Sequence, residues 1–284
     1  MQPTAILLIQ APDAKGLVAG VSDFVFRHDG NIVDADQHTD TAAGQFFMRI
    51  EWQLAGFKLA REAIAAAFGA WATPRGVNFK LYFSDERPRV ALFVSKLDHC
   101  FHDLVLRRRA GEFDADLALV VSNHAELAPV AEMYGLPYHV FPITPTTKAA
   151  QEAAELALLR EHRISTVILA RYMQVLSPTL VAAFPNEIIN IHHSFLPAFA
   201  GGKPYQQAHQ RGVKIIGATS HYVTSDLDEG PIIEQDVARV SHRDNVDDLV
   251  RKGRDLERFV LGRAVRLHMA RRVLVQGNRT VVFE

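Results

Sequence analysis

The stretch "SDERPRVALFVS", residues 84–95, holds the reading on which the fold turns: a charged, proline-broken run passes directly into six apolar-rich residues. Pro88 and its polar neighbours break both helical and strand periodicity, which marks a linker. A domain boundary is therefore expected near Asp85, with one domain over 1–85 and a second over 86–284. A chain of 284 residues has room for two modest domains.

Downstream the rhythm is strand, helix, strand. Continuous apolar runs, "RVALFVS" (89–95), "ADLALVVS" (115–122), "YHVFPIT" (138–144), "TVILAR" (166–171) and "IINIHHS" (188–194), alternate with helical stretches. Those helices are expected at "HDLVLRRR" (102–109), "ELAPVAEMYG" (126–135), "KAAQEAAELALLREHR" (148–163) and "LSPTLVAAF" (176–184). Such alternation predicts an α/β domain with a mostly parallel, Rossmann-like sheet buried on both faces, and places function at the carboxyl ends of its strands. Two further strands, "KIIGATSHYVT" (214–224) and "GPIIEQDVARV" (230–240), a long amphipathic helix from Asn245 and a terminal hairpin turning at Gly277–Asn278 complete it.

Upstream, "TAILLIQ" (4–10), "KGLVAGVSDFVFRHDG" (15–30), "NIVDADQHTD" (31–40), "QFFMRIEWQL" (45–54), "KLAREAIAAAFGAWA" (58–72) and "NFKLYFSD" (78–85) run β-α-β-β-α-β. That order folds as a ferredoxin-like split unit, two helices covering one face of an antiparallel sheet.

Composition narrows the function classes. Hydrophobic residues are 48% and charged residues 22%, as in a globular protein with ample core. Lys and Arg number 31 against 32 acids, net −1, so no global field points to nucleic acid or an acidic membrane. Cys100 is alone, which excludes an internal disulfide framework and fits a reducing, cytoplasmic setting. No signal peptide or spanning helix is expected.

The candidate chemistry lies in "NIHHSFLPAFAG", 190–201. Side chains two apart on a strand share a face, so Asn190 and His192 project together at a strand end, followed by a loop of small residues and proline. An amide N–H and an imidazole aimed at one point stabilise an oxyanion, and a carboxylate beside them orients the ring and moves protons. "TSDLDEGPII" offers Asp226 and Asp228 at the end of another strand. An isolated Asn-x-His is more often turn and core chemistry; the weight comes from "NIHHSFLPAF", "GATSHYVT" and "DLDEGPII" in that order.

That combination resembles the folate-dependent formyltransferase superfamily, which handles the formyl group of 10-formyltetrahydrofolate with an Asn, a His and an Asp. The resemblance implies Asn190, His192 and Asp228 as the catalytic set. It implies "LARYMQVLSP" (169–178) as the loop holding the pterin, with Tyr172, Met173, Gln174, Val175 and Leu176 at its core and Val223, Thr224, Ser225 and Asp226 facing it.

Within the superfamily, glycinamide ribonucleotide formyltransferases grip the acceptor's phosphate with a glycine-rich loop after the first strand, where this chain has "FVSKLDHCFHDLV" (93–105). Methionyl-tRNA formyltransferases append a basic domain, for which no room is expected after the long helix. Arg251, Arg254, Arg258, Arg263, Arg266, Arg271 and Arg272 are interleaved with Asp255, Glu257 and the apolar Phe259, Val260 and Leu267, so that helix reads as a packing helix. With no acceptor site evident, water becomes the acceptor, and the resemblance is to formyltetrahydrofolate deformylases, over almost the whole chain. It implies release of formate and tetrahydrofolate, a formate supply that balances the one-carbon pool for purine biosynthesis, and no cofactor beyond the folate substrate.

The amino-terminal unit, including "APDAKG" (11–16), resembles an ACT domain, which implies an amino-acid effector near Asp13, Lys15, Gly16 and Asn31 and a homo-oligomer. The rival readings are a transferase with a small amine acceptor and a non-catalytic amino-acid sensor. The run "DHCFHD" (98–103) offers His99, Cys100, His102 and Asp103, but no second Cys or His pair accompanies it, so helix-start packing with Asp98 near the cap is favoured over metal. His193, His209 and His221 are expected in supporting roles, His221 with the best remaining claim.

Overall fold

The computed structural model describes residues 2–197 and 204–284; the end of the small-residue and proline loop expected after His192 lies outside the described residues. The chain separates into two compact units. One comprises the chain up to Arg87 with Arg271–Leu274 and Val281–Glu284; the other comprises Pro88–Ala270 and Val275–Thr280.

In the first unit β1 (Thr4–Pro12), α1 (Leu17–Arg27), β2 (Ile32–Asp40), β3 (Gln45–Gln53), α2 (Arg61–Ala72) and β4 (Asn78–Phe83) build an antiparallel sheet of order β2-β3-β1-β4. Its apolar face is set by strand alternation: Ala5, Leu7 and Ile9 of β1 and Met48, Ile50 and Trp52 of β3 pack against Leu17, Val21, Phe24 and Val25 of α1 and Ile64 and Phe68 of α2. Gly20 of α1 lets that helix lie on Trp71, whose ring a Cβ there would approach to 2.3 Å. The sequence rhythm put the chain's last residues with the second domain, yet Arg271–Leu274 and Val281–Glu284 group with the first unit. Within that unit Arg272 reaches Asp34 at 3.0 Å, the Arg271 carbonyl accepts from Arg49 Nε at 3.2 Å, and the Arg271 guanidinium lies over the Tyr82 ring at 4.2 Å.

In the second unit β5 (Arg89–Val94), α3 (His99–Arg109), β6 (Asp116–Ser122), α4 (Ala128–Tyr134), β7 (Tyr138–Val140), α5 (Lys148–Glu161), β8 (Thr166–Leu169), α6 (Pro178–Ala183), β9 (Ile188–His192), α7 (Pro204–Arg211), β10 (Ile215–Tyr222), β11 (Ile232–Arg239) and α8 (Val246–Met269) follow one another. Its seven strands lie in the order β11-β10-β9-β8-β5-β6-β7. Pairings from β7 across to β9 are parallel, and those of β10 with β9 and β11 are antiparallel. The winding reverses between β5 and β8, and the crevice at such a switch point is where α/β sheets place their ligands.

Some elements differ from expectation. Helix α3 begins at His99 rather than His102, because Cys100 and Phe101 are wholly buried and extend the apolar face by a turn. Asp98 occupies its N-cap position, but its side chain makes no capping bond and lies 3.6 Å from His102. Strand β7 is three residues, since Pro142 removes a ladder donor just beyond it. Helix α8 is secured by an Asn245–Asp248 capping box and ends at Met269, so Arg271 and Arg272 are not on it; Phe259 is exposed, whereas Val260 and Leu267 are buried. A hairpin of β12 (Val273–Gln276) and β13 (Arg279–Val282) closes the chain. No helix among the described residues is long and apolar enough to cross a membrane.

Candidate active site

Antiparallel pairing of β9 with β10 sets Asn190 directly opposite His221, and His192 opposite Thr219. Alternation then gives all four side chains one face of the sheet. Asn190 Nδ2 lies 3.2 Å from His221 Nε2. The other ring nitrogen, His221 Nδ1, lies 2.9 Å from the Tyr222 carbonyl, an acceptor only, so Nδ1 carries the hydrogen and donates. Burial lowers the His221 pKa, which keeps the ring neutral with a lone pair on Nε2. Asn190 must therefore donate to His221 through one N–H, and the tautomer of one residue orients the amide of the other.

The acid comes from the loop between β10 and β11. Asp228 Oδ1 lies 3.3 Å from His192 Nδ1 and 3.9 Å from His221 Nε2. The His192 hydrogen bond, with the imidazoles around it, holds the Asp228 carboxyl below the usual range despite partial burial. Two features deliver that loop. Asp228 sits at φ 59°, a left-handed conformation that Asp tolerates better than most residues. Gly230 lies so close to β10 that a Cβ would stand 1.7 Å from the Tyr222 carbonyl oxygen, so only glycine lets the backbone pass. A register shift in the β10–β11 ladder between Ser220 and His221 falls at the same place, where bulges commonly re-aim side chains. His192 Nε2 is buried with no hydrogen-bond partner among the described residues.

Asn190, His192, Asp228 and His221 line one cavity of about 300 Å³, together with residues 172–176 and 223–226. The cavity wall also includes Leu169, Arg171, Ile191, His193 and Leu227. The two acids of "DLDEG" separate: Asp228 meets the imidazoles, while Asp226 is exposed and its carbonyl accepts from Thr224 Oγ1 at 3.1 Å. The loop beyond β9 is braced by Thr219, whose hydroxyl donates to the Ser194 carbonyl and accepts from the Leu196 amide and from Gln235 Nε2. His193 is driven down to about 4, mainly by burial and next by the Arg171 charge, so it is a neutral wall residue.

The run His99–Asp103 acquires one partner that spacing could not reveal. Donor atoms of His99, Cys100 and Glu257 all lie within 4.8 Å of one another. The set does not suit a metal. Glu257 already accepts from His99 Nε2 and Tyr205 OH, each at 2.7 Å, and lies 3.4 Å from Arg171 Nε. Burial pushes the Cys100 thiol up, and thiolate is the form that binds metal. His102 and Asp103 turn elsewhere, to Tyr134 OH at 2.7 Å and Arg107 at 2.6 Å. His209, on α7, is not among the residues of the cavity wall. In the loop after β5, Lys96 pairs with Glu126 at 3.2 Å, both side chains being exposed.

Comparison with known proteins decides the family. A family model described as formyl transferase matches residues 88–265. A formyltetrahydrofolate deformylase of Synechocystis is 56% identical over 280 residues, covering 99% of this chain and 98% of that protein. The chain belongs to the formyltetrahydrofolate deformylase family. A crystal structure of a formyltetrahydrofolate deformylase from Pseudomonas syringae pv. tomato superposes with a TM-score of 0.98 at 45% identity, covering 100% of this chain and 95% of that one. A glycinamide ribonucleotide transformylase from Symbiobacterium toebii matches at a TM-score of 0.67 and 32% identity, covering 72% of this chain and 98% of that one. The deformylase family is thus matched over both units, and the transformylase over a smaller part.

In the first unit, Asp13, Lys15, Gly16 and Asn31 are all exposed on the loops flanking α1. The Asp13 amide donates to the Gly44 carbonyl at 2.9 Å, Gly16 sits at φ 89° ahead of α1, and Asn31 Nδ2 donates to Gln53 Oε1 at 3.1 Å.

Proposed function

We propose that the chain hydrolyses 10-formyltetrahydrofolate to formate and tetrahydrofolate in the cavity that Asn190, His192 and Asp228 line. The observation that carries this reading is the His192–Asp228 contact at 3.3 Å beside an Asn190 amide oriented by His221 at 3.2 Å, in a deformylase-family chain.

In this reading residues 172–176 and 223–226 hold the pterin by backbone groups, and the formyl carbonyl lies toward Asn190 and His192. Asp228, held ionised, accepts a proton from a water as its oxygen adds to the formyl carbon. The free N–H of Asn190 and Nε2–H of the imidazolium form of His192 donate to the oxyanion. The tetrahedral adduct collapses as the proton passes from Asp228 to the departing folate nitrogen, leaving tetrahydrofolate and formic acid, which releases its remaining proton to solvent as formate. Each charge is met by a group already in place, so little reorganisation is needed at the transition state.

Water as acceptor is supported by the glycine-free loop after β5 and by the Lys96–Glu126 pair, which offer a phosphorylated amine no anion grip. Cytoplasmic placement accords with the unpaired, buried Cys100. The loops bearing Asp13, Lys15, Gly16 and Asn31 belong to the same reading as an amino-acid effector site, and the edge of the four-stranded sheet as the place where a second copy pairs. A formate assay on the purified chain with 10-formyltetrahydrofolate tests the reaction. Formate release without added amine is the expected result; release that requires an amine would establish a transferase instead. Repeating it with glycine and methionine tests the effector site.

A further inference from the structure

Helix α5 buries two glutamates behind the loop that lines the cavity. Glu155 is fully buried and Glu152 is 4% exposed, an unusual placement for carboxyl groups. Both are tied to that loop. Tyr172 OH donates to Glu155 Oε1 at 3.1 Å, and the Ser177 amide donates to the Glu152 carboxylate at 3.2 Å. The loop from 172 to 177 is therefore fastened at each end to α5, and the intervening backbone is the cavity wall. Tyr172 is also fixed edge-on to Phe93, with ring centroids 5.2 Å apart. The catalytic steps use neither glutamate.

We propose that Glu155 is a positioning residue for the folate ring, holding Tyr172 and through it the backbone of residues 172–176 in the shape that receives the pterin. The inference rests on the cavity being the folate site. The groups that face Glu155 are Glu152, one turn back on α5 with Lys148 at 3.9 Å beyond it, and Tyr172 from the loop. Among the described residues no cation pairs with Glu155, and its Oε2 is buried without a partner. Burial, with the nearby Glu152 charge adding to it, pushes the carboxyl from an ordinary 4.5 up to about 7. Glu155 thus holds the loop as a neutral acid. Opening the loop to water returns the group to its ordinary value, so the hold is complete below about 4.5, weakens as pH rises through about 7, and is level above that.

The test is equilibrium binding of 5-formyltetrahydrofolate to the full chain, with kcat and KM alongside, at pH 5.5, 7.0 and 8.0. Losing one buried hydrogen bond corresponds to about tenfold, so Glu155→Leu and Tyr172→Phe are each expected to weaken binding by about tenfold, with kcat changing far less. The double variant is expected to be no weaker than either single one, because both cut the same link. Glu155→Gln keeps a neutral partner for the hydroxyl, so its affinity relative to wild type is expected to rise several-fold from pH 5.5 to pH 8.0. Wild-type affinity in Tyr172→Phe, or the same pH dependence in Glu155→Gln as in wild type, would overturn the proposal even if Glu155→Leu does not fold. A Val223→Trp variant separates the two readings. If it binds as wild type, the cavity is not the folate site; if it abolishes binding while Tyr172→Phe does not weaken it, the positioning role alone fails.

Discussion

Two carboxyl groups flank the same cavity, and their surroundings drive them in opposite directions. Asp228, on the β10–β11 loop, is partly exposed and lies against two imidazoles, and its pKa is lowered. Glu155, on α5, is fully buried against a phenol and a second carboxylate, and its pKa is raised to about 7. Partners that carry or can accept positive charge decide the first; desolvation with no such partner decides the second. The cavity thus has one wall with an ionised carboxylate, the proposed proton carrier, and one wall whose carboxyl is held toward its neutral form. A third carboxyl sharpens the rule: Glu257 is as buried as Glu155, yet with His99, Tyr205 and Arg171 around it its pKa is lowered.

The largest expected effect falls on the proton-moving wall. Asp228→Asn should lower kcat by about a thousandfold while folate still binds, as read by single-turnover formate release and by equilibrium binding. Full activity in that variant would place the proton transfer elsewhere and end the contrast. Next, Gly230→Ala pushes a methyl into the Tyr222 carbonyl, displaces Asp228 and should reduce kcat by about a hundredfold, with native circular dichroism retained.

The wall that holds its proton yields a stability test. Because the folded pKa of Glu155 is raised, its contribution is complete below the unfolded value of 4.5 and is lost as pH rises through about 7. Glu155→Gln has no such loss, so urea unfolding should show it gaining on wild type by about 2 kcal/mol between pH 5 and pH 8. A constant difference across that range would mean that Glu155 is ionised throughout, like Asp228. The smallest effect belongs to His221→Phe, which removes the acceptor of the Asn190 amide and should lower kcat by about tenfold with KM nearly level; a KM effect alone would make the histidine part of the binding wall.

Much of the fold was legible because its signals are local. Continuous apolar strands alternating with helices spell out the parallel sheet, and the β-α-β-β-α-β order spells out the other. The proposed catalytic wall was legible in part: two-residue spacing in β9 puts Asn190 and His192 on one face without any coordinates. Which residue orients the Asn190 amide was not legible, because it depends on the register of β9 against β10, and register is a property of a pair of strands. Glu155 was invisible for a different reason. In "KAAQEAAELALLREHR" glutamates read as the solvated face of a helix, and only the packed loop shows two of them turned inward. Likewise Glu257 lies far along the chain from His99 and Cys100, so spacing within "DHCFHD" gave no hint of their association.

The pairing of Asn190 with His221 has a consequence for how the molecule tolerates change. Sliding β10 by one residue along β9 would offer Asn190 either Ser220 or Tyr222 in place of the imidazole, and turn His221 toward the opposite side of the sheet. What prevents the slip is the grease of the neighbouring positions, where Ile189, Ile191, Ala218 and Tyr222 are all interior. Substituting the aliphatic ones, Ile189, Ile191 and Ala218, would thus be expected to weaken the proposed chemistry without touching a polar side chain.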